Sequence, residues 1–576
     1  MKPISYLLSF LLVTTTALSS HSAERYWIFF TDKGNNQSLS FSKQKAIVSQ
    51  HLSNRALDRR EKRGITVDEK ELIFADLPLD ENYIKTIEKL GFRIHAKSRW
   101  LNAISGYATN KILKEIKALP FVKSIEPVRT WKFSQEETSA SPPQLFKKPF
   151  ISDSIIVDYG ESSFQIQFHN IHQLHWMGLS GKGVIVAMFD TGFRLDHPAI
   201  QHLQDKIIAE YDFIQKDSIT ANQSGDASNQ DSHGTITLST IGGYLPGRLV
   251  GPAFGASFLL AKTEKVDEEI NLEEDNWMMA AEWAEALGAD IVSSSVGYNI
   301  FDPGQNSYTY EDMDGQTTII TRAANELARR GVLVVNSAGN EGDSPWRYII
   351  APADGFYVIA VGALDRFNQV TVFSSRGPTY DMRIKPDICA LGSGVFSALP
   401  PDQYAYVNGT SLSCPIVAGI AAQILEAFPN LNLLQLIEII RNSGDSANNP
   451  DNNRGWGKID ALKALSIAAN NPITANKPEY KSTEFTVLPP RPNPSTRHSG
   501  FIFFQVNLPK PAKIYVEIFN ILGQKVSSIV YNGKDSQNLI SWDLKNSQGI
   551  AVPSGIYIYQ VKALNKNSTG KIIILK

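Results

Sequence analysis

Hydrophobic and polar positions divide the chain into three structured zones joined by two polar linkers. In the first zone, residues 24 to about 135, residues 26–30 form an apolar, aromatic run of strand length. Residues 112–119 carry apolar side chains at helical spacing. Further strands are predicted at 93–95, 104–108 and 122–128, and helices within 42–63 and 82–90. This zone predicts a small α+β unit.

The second zone, residues 153–470, follows a polar, proline-containing linker at 136–152. Its apolar runs of strand length alternate with longer windows at helical spacing. Examples of the predicted strands are 184–189, 258–261, 291–294, 332–335 and 358–361, and examples of the predicted helices are 277–287, 321–330 and 415–427. Strand–helix–strand alternation of this length predicts an α/β domain, with a parallel sheet covered by helices on both faces.

The third zone, residues 498–576, follows a proline-rich linker at 471–497. It contains short strand-like runs at 501–506, 514–519, 539–542, 556–561 and 571–575. Turn residues such as Asn532-Gly533 separate these runs. The pattern predicts a small antiparallel β-sandwich.

The N-terminal segment, residues 1–23, has the layout of a secretory signal peptide. Lys2 supplies a positive charge, residues 4–13 are mostly apolar, and residues 14–23 are mostly small and polar. Cleavage after Ser19 or after Ala23 stays open. No later stretch reaches about 18 uninterrupted apolar residues, so we expect an exported protein with no stable membrane insertion.

Composition narrows the classes of function. The 576 residues are 43% hydrophobic and 20% charged, which is typical of globular proteins and excludes wholesale disorder. A net charge of −2 gives no basic footprint for nucleic acid. Two cysteines exclude a disulfide-stapled scaffold and a cysteine-based zinc site.

Four polar residues stand at predicted strand ends and helix starts. They are Asp190 in a strand-to-turn segment, His233 before a helical window, Asn340 in a glycine-rich turn and Ser411 at the start of an apolar helix. Each alone is best explained as a turn, cap or ordinary residue. Together they are more informative, because groups at these positions of an open α/β sheet converge on one crevice.

With Asp190, His233, Asn340 and Ser411 at these positions and in this order, residues 158–465 resemble the subtilisin-like serine protease family, in particular exported Bacteroidetes-type proteases. Segments 295–297, 373–378, 385–388 and 455–461 extend the resemblance. Residues 236–238 and 412–414 depart from the family pattern. The departures affect packing rather than the atoms that would transfer protons.

The resemblance implies a serine endopeptidase acting on polypeptide substrates. Ser411 would be the nucleophile and His233, whose unperturbed pKa is about 6.5, its general base. Asp190 would orient the imidazole, and Asn340 would bind the oxyanion beside the Ser411 N–H and the helix dipole. Ser295-Val296-Gly297 would pair with the substrate backbone. Ser337-Ala338-Gly339 would form one wall of the pocket for the residue before the cut, with room for a sizeable side chain.

The flanking zones resemble known companions of such proteases. Residues 24–135 resemble inhibitor-like propeptides, which implies a self-processed precursor cut between about 134 and 159. The basic pairs Arg59-Arg60 and Lys62-Arg63 could be processing sites, but a solvated helix face is favoured. Residues 498–576 resemble C-terminal sorting domains of the type IX secretion system, and an Ig-like stabilising or adhesive module is the alternative.

The remaining expectations concern cofactors, partners and location. The chemistry requires no cofactor, and no metal ligands are assigned. The acidic loop 311–315 could bind a structural calcium ion, but it lacks the spaced oxygens of a calcium loop, so a solvated loop is preferred. Cys389 and Cys414 are expected to be core fillers, and their disulfide state stays open. The expected protein is a monomer that reaches the medium or the cell surface through the periplasm, with its propeptide and the type IX machinery as partners.

Two other classes of function compete with this interpretation. One is an adhesion or binding protein with a degenerate protease domain, which the complete quartet Asp190, His233, Asn340 and Ser411 disfavours. The other is a metallohydrolase, which is disfavoured because His233 has no neighbouring cluster of ligands.

Overall fold

The computed structural model describes residues 24–65, 70–128, 157–266, 272–298, 308–470, 484–490, 493, 495–496, 502–533 and 537–575. The predicted signal peptide, the linker at 136–152 and most of the linker at 471–497 lie outside these residues.

Within its described residues, the N-terminal unit is a four-stranded antiparallel sheet with five α-helices. Its strands are β1 (Glu24–Phe30), β2 (Arg93–Ser98), β3 (Ala103–Ala108) and β4 (Val122–Pro127), in the order β2-β3-β1-β4. Its helices are α1 (Phe41–Gln50), α2 (Asn54–Lys62), α3 (Lys70–Asp76), α4 (Glu81–Lys89) and α5 (Asn110–Lys117). Sequence periodicity did not predict α3, because seven residues are too few to establish a helical period.

The central domain is built on a seven-stranded parallel sheet. Its strands and the shorter strands around it are β5 (Ile185–Asp190), β6 (Ile207–Asp212), β7 (Tyr244–Leu245), β8 (Leu249–Val250), β9 (Ser257–Lys262), β10 (Ile291–Ser294), β11 (Leu333–Ser337), β12 (Val358–Leu364), β13 (Ile388–Leu391), β14 (Val395–Leu399) and β15 (Gln403–Val407). The order of the main sheet is β13-β12-β11-β10-β5-β9-β6. Strand β5 lies where the strand order changes direction, between β10 and β9. In open α/β sheets such a switch point is where a crevice forms beyond the carboxyl ends of the strands.

Helices cover both faces of this sheet, as the alternating sequence pattern predicts. They are α6 (Ser163–Phe168), α7 (Ile171–Trp176), α8 (Ser232–Gly242), α9 (Leu272–Leu287), α10 (Ile319–Arg329), α11 (Thr410–Ala427), α12 (Leu433–Ser443) and α13 (Ala461–Asn470). Helices α8, α11, α12 and α13 belong to one apolar core, and α9 and α10 to the other. Among the described residues, α11 alone has the length and hydropathy of a membrane span, but 89% of it is buried inside the protein. It is therefore accounted for as the helix at the centre of the first core.

The part of the C-terminal unit that the structure describes contains two small sheets. Its strands are β16 (Thr486–Val487), β17 (Ser495–Thr496), β18 (Ile502–Asn507), β19 (Ala512–Asn520), β20 (Lys525–Gly533), β21 (Gln537–Trp542), β22 (Gly555–Ala563) and β23 (Lys566–Leu575). Strands β16-β18-β21 form one sheet and β17-β23-β22-β19-β20 the other, and every pairing except β17–β23 is antiparallel. The predicted architecture of three units is therefore confirmed, although strand β20 was not predicted.

The sheet of the N-terminal unit lies against helices α9 and α10. Trp27 and Phe29 of β1, together with Trp100, are buried in the same apolar core as Trp277 of α9 and Leu327 of α10. Because each buried aromatic side chain removes a large apolar area from water, this shared core binds the two units firmly.

Candidate active site

Asp190 is the last residue of the buried central strand β5. Its carboxylate is 1% exposed and accepts hydrogen bonds on both oxygens. The Thr191 backbone N–H donates to Oδ1 at 2.8 Å, and the Thr237 hydroxyl of α8 donates to Oδ2 at 2.9 Å. These donors compensate the carboxylate for its lost hydration and fix its plane.

His233 is the second residue of α8, and it meets Asp190 directly. Nδ1 lies 2.6 Å from Asp190 Oδ1. Because an ionised carboxylate can only accept, Nδ1 carries the proton and Nε2 is left as the basic nitrogen. Gly234 allows this approach, since a Cβ there would collide with the backbone carbonyl of Gly192 in the turn after β5.

Ser411 lies in the first turn of α11, next to the end of strand β10. Its hydroxyl donates to the Ser295 carbonyl at 3.3 Å, and the Ser295 hydroxyl donates back to the Ser411 carbonyl at 2.9 Å. Pro415 explains the second bond, because it has no N–H to donate to the carbonyl four residues earlier. Strands β10 and β5 are neighbours, so Ser411 and the Asp190–His233 pair lie at adjacent strand ends.

Asn340 follows strand β11 and is held by the residue before Ser411. Its Oδ1 accepts from the backbone N–H and from the hydroxyl of Thr410, both at 3.0 Å. With the oxygen anchored in this way, the amide Nδ2 is the donating end of the side chain that remains for a ligand.

The two predicted substrate-binding segments lie beyond neighbouring strands. Residues 295–297 follow β10, and residues 337–339 begin at the end of β11. The buried Asn336 side chain links them by donating to the Val296 carbonyl at 3.0 Å and to the Ser337 carbonyl at 2.9 Å. The structure thus brings all ten predicted site residues to the carboxyl ends of β5, β10 and β11.

Three further residues support this site and were not predicted to do so. Thr237 binds Asp190, although its position had been noted only as a departure from the family pattern. Gln230 Nε2 donates to the carbonyls of Thr191 and Glu264, both at 2.6 Å. The buried Glu264 carboxylate accepts from the Tyr298 hydroxyl at 2.7 Å, and burial raises the pKa of Glu264 above its usual range. A polar residue in an apolar helical window was the available signal for Thr237.

No cluster of three or more His, Cys, Asp or Glu residues able to hold a metal occurs within the described ranges. In the acidic loop, Asp314 accepts from Gln316 N–H at 2.9 Å and from Thr317 N–H at 2.8 Å, so it stabilises the loop itself. Cys389 and Cys414 are both buried as free thiols, and burial raises the pKa of each to about 12. They are therefore core residues rather than nucleophiles at neutral pH.

Asp226, in the loop before α8, belongs to a buried ion cluster. The Lys262 ammonium is fully buried and lies 2.8 Å from Asp212 Oδ2 and 2.7 Å from Asp226 Oδ2. A protein ammonium therefore neutralises the two carboxylates next to strand β9.

The pair Arg59-Arg60 of α2 is not part of a solvated helix face, which corrects that expectation, whereas Lys62 is exposed as expected. Arg59 and Arg60 are 0% and 1% exposed, and both donate to Glu285 of α9. Arg60 also lies 2.6 Å from Asp76, and Arg330 lies 2.8 Å from the same carboxylate. Burial alone would raise the pKa of Asp76, but the charges of Arg330 and Arg60 lower it below its usual range. These arginines bind the N-terminal unit to the central domain.

Each of the three units matches a known family. Residues 181–457 match the Subtilase family (Peptidase S8), residues 25–143 the Peptidase S8 propeptide domain of Bacteroidota, and residues 492–575 the secretion system C-terminal sorting domain. The fold and these matches define the class, a subtilisin-like serine endopeptidase made with a propeptide and a sorting tail.

Individual relatives support the same conclusion. Serine protease AprX of Bacillus subtilis is 30% identical over 312 residues, which cover 50% of this chain and 67% of AprX. Thermitase of Thermoactinomyces vulgaris is 27% identical over 50% of this chain and 91% of its own length. Subtilisin E of Bacillus subtilis is 26% identical over 60% of this chain and 75% of its own. The chain belongs to the subtilase family of serine proteases, and its sorting domain implies export to the medium or the cell surface.

Proposed function

We propose that Asp190, His233 and Ser411 form the catalytic triad of an endopeptidase that works through an acyl-enzyme. The observation that carries this proposal is the 2.6 Å hydrogen bond between His233 Nδ1 and Asp190 Oδ1. It fixes the tautomer in which Nε2 is unprotonated and able to act as a base.

The reaction starts when the Ser411 hydroxyl turns from the Ser295 carbonyl towards His233. Nε2 takes the hydroxyl proton as Oγ attacks the substrate carbonyl, and the imidazolium is stabilised by Asp190. Nε2 then gives that proton to the leaving amine, and the acyl-enzyme forms. Water enters and loses a proton to Nε2 as its oxygen attacks the acyl carbonyl. Nε2 then returns that proton to Ser411 Oγ as the acyl–Oγ bond breaks and the acid product leaves. Every proton is transferred by these groups, so the chemistry itself requires no cofactor.

Asn340 and the first turn of α11 stabilise the oxyanion. The Thr410 contacts hold the Asn340 carboxamide by its oxygen, which leaves Nδ2 as the donor towards the crevice. The Ser411 N–H lies at the N-terminus of an 18-residue helix, whose dipole adds positive potential there. The peptide substrate lies along residues 295–297 as an added strand, and residues 337–339 line the pocket for the residue before the cut.

The chain is a precursor that processes itself. We assign the cut to the region from about 134 to 159, and of that region the structure describes only residues 157–159. The protein crosses the periplasm, is recognised by the type IX machinery through its tail and acts as a monomer. The family match of residues 492–575 supports this route.

The test compares the wild-type full chain with Ser411→Ala. The wild type should shorten from its N-terminus over time and hydrolyse peptides. The variant should keep its precursor mass and its circular dichroism spectrum and hydrolyse nothing. Equal processing and hydrolysis by both proteins would remove Ser411 from the mechanism. Deletion of residues 498–576 should retain the protein in the periplasm, and unchanged export would contradict the assigned route.

A further inference from the structure

The backbone of residues 350–351 forms hydrogen bonds that link the two predicted substrate-binding segments. The Ile350 N–H donates to the Ala338 carbonyl at 3.2 Å. On the other side, Ala351 and Tyr298 exchange backbone hydrogen bonds of 3.1 and 2.9 Å. Because Tyr298 directly follows residues 295–297, Ile350 lies between the two segments and at the base of the space they enclose.

The Ile350 side chain points into that space. A methyl group added at Gly297 would lie 2.6 Å from Ile350 Cδ1 and 2.7 Å from Cγ1. A methyl group added at Gly339 would lie 3.0 Å from the same two atoms. One glycine belongs to each segment, so the far end of the isoleucine fills the gap between them.

The surroundings hold this side chain in place. A β-branched residue has few χ1 rotamers, and Ile350 is only 6% exposed. The preceding residue, Ile349, points elsewhere and packs with Ala338, Ala353 and Ala360. Asn336 fixes the distance between the segments through its two hydrogen bonds. A large substrate side chain therefore cannot gain room through a simple rotamer change or through separation of the walls.

We propose that Ile350 closes the floor of the pocket for the residue before the cut and restricts the enzyme to substrates with a small residue there, namely glycine, alanine or serine. This inference rests on the proposed function, because it takes residues 295–297 and 337–339 as the pocket walls. It also revises the expectation that the small side chains of 337–339 leave room for a sizeable residue.

The test uses peptides that differ only at the residue before the cut. The full-length protein is incubated until its activity is constant, and kcat/KM is measured for the alanine, leucine and phenylalanine peptides. The wild type should prefer alanine. Truncation in Ile350→Ala should raise the phenylalanine-to-alanine ratio by at least roughly 10- to 200-fold, the range that a single methylene decides in a hydrophobic pocket. Ile350→Val should raise it less.

Ile349→Val is the matched control, because it loses the same methylene from the adjacent residue outside the pocket. It should leave the ratio at the wild-type value. The ratio is measured within each variant, so differences in yield do not affect it. If Ile350→Ala does not fold, Ile350→Val and the cleavage of a mixed peptide library by the wild type still decide the question.

Two results would overturn the inference: equal wild-type cleavage after phenylalanine and alanine, or an unchanged ratio in the Ile350 variants. Both leave Ser411-dependent hydrolysis intact and so refute only the role of Ile350. Failure of the proposed function would be recognised differently, by hydrolysis that persists in Ser411→Ala.

Discussion

Polar groups serve different purposes in two regions of the molecule. One is the crevice at the carboxyl ends of β5 and β10, and the other is the interface between the propeptide and helices α9 and α10. In the crevice, Asp190 and His233 form one pair whose further partners are hydroxyls and backbone amides. In the interface, Arg59 and Arg60 are buried against Glu285, with Arg330 and Asp76 beside them. The crevice positions a few atoms for chemistry, whereas the interface removes a whole set of charges from water.

This difference determines how each region should respond to mutation. Loss of a group in the crevice leaves most partners satisfied and changes a rate. Loss of one partner in the interface leaves a buried, uncompensated charge, which affects the association of the two units. Activity and stability should therefore report separately on the two regions.

The largest expected effect on stability comes from Glu285→Ala. This change leaves Arg59 and Arg60 buried without their shared carboxylate, and breaking such a buried pair costs about 3–5 kcal/mol. Urea unfolding of the full-length Ser411→Ala protein, followed by tryptophan fluorescence, should show a strongly lowered midpoint for separation of the propeptide.

Glu161→Gln is the control for this experiment, since Glu161 pairs with Arg248 at the surface. The two side chains are 34% and 47% exposed, and such a pair contributes less than about 1 kcal/mol. Equal midpoint shifts in the Glu285 and Glu161 variants would contradict the importance of the buried network.

Asn340→Ala should change the rate without changing that midpoint. In a subtilisin, loss of an asparagine that donates to the oxyanion costs about 2.7–4 kcal/mol of transition-state stabilisation, or roughly 10²–10³ in kcat. We carry that value over to Asn340. Because the bond is made mainly in the transition state, kcat should fall with little change in KM. A raised KM at constant kcat would assign Asn340 to ground-state binding instead.

Reasoning from sequence located the residues of the crevice but missed the partners of the buried charges in the interface. Asp190, His233, Asn340 and Ser411 lie in short motifs, and chain order and strand ends were enough to predict their convergence. The partners of Arg59 lie more than two hundred positions away in Glu285 and Ala289, and no local pattern marks them. A basic run on a short helix has the same pattern whether it is solvated or buried. Ile350 was missed for a related reason, since its proposed role depends on Gly297 and Gly339, which follow two strands distant in sequence.

Thr237→Val should have a smaller effect on the rate. The hydroxyl donates to Asp190 Oδ2 at 2.9 Å, and a hydrogen bond to a charged group contributes about 1.5–3 kcal/mol, so we expect kcat/KM to fall at least about tenfold.

Thr237→Ser should restore the rate. Thr240→Val serves as the control, because Thr240 lies on the same helix and binds Ile236 and Ser397 rather than Asp190. An identical loss in the Thr237 and Thr240 variants would mean that helix packing, not the carboxylate, is affected.

A further expected effect, on binding rather than on rate, is a pH dependence of propeptide binding through His95. Its Nε2 lies 3.2 Å from Asn276 Oδ1 of α9, and burial, reinforced by the charge of Arg25, lowers the pKa of His95 to about 3. Released propeptide takes up a proton below the usual pKa of about 6.5 that bound propeptide cannot. Affinity should thus be constant above about pH 7 and fall between pH 6.5 and 3, by at most about tenfold per pH unit.

His95→Gln should remove this part of the pH dependence while retaining a side chain able to donate to Asn276. Binding of the isolated variant and wild-type propeptides to the mature enzyme is compared at pH 7.5 and pH 5. Identical slopes for the two propeptides would exclude His95 as the titrating group.

The most direct test of the proposed mechanism is labelling with a fluorophosphonate, followed by mass spectrometry of the labelled peptide. A serine activated by His233 and Asp190 should carry one adduct, on Ser411, and His233→Ala and Asp190→Ala should react far more slowly. An adduct on another residue, or equal labelling of Ser411 without His233, would contradict the triad.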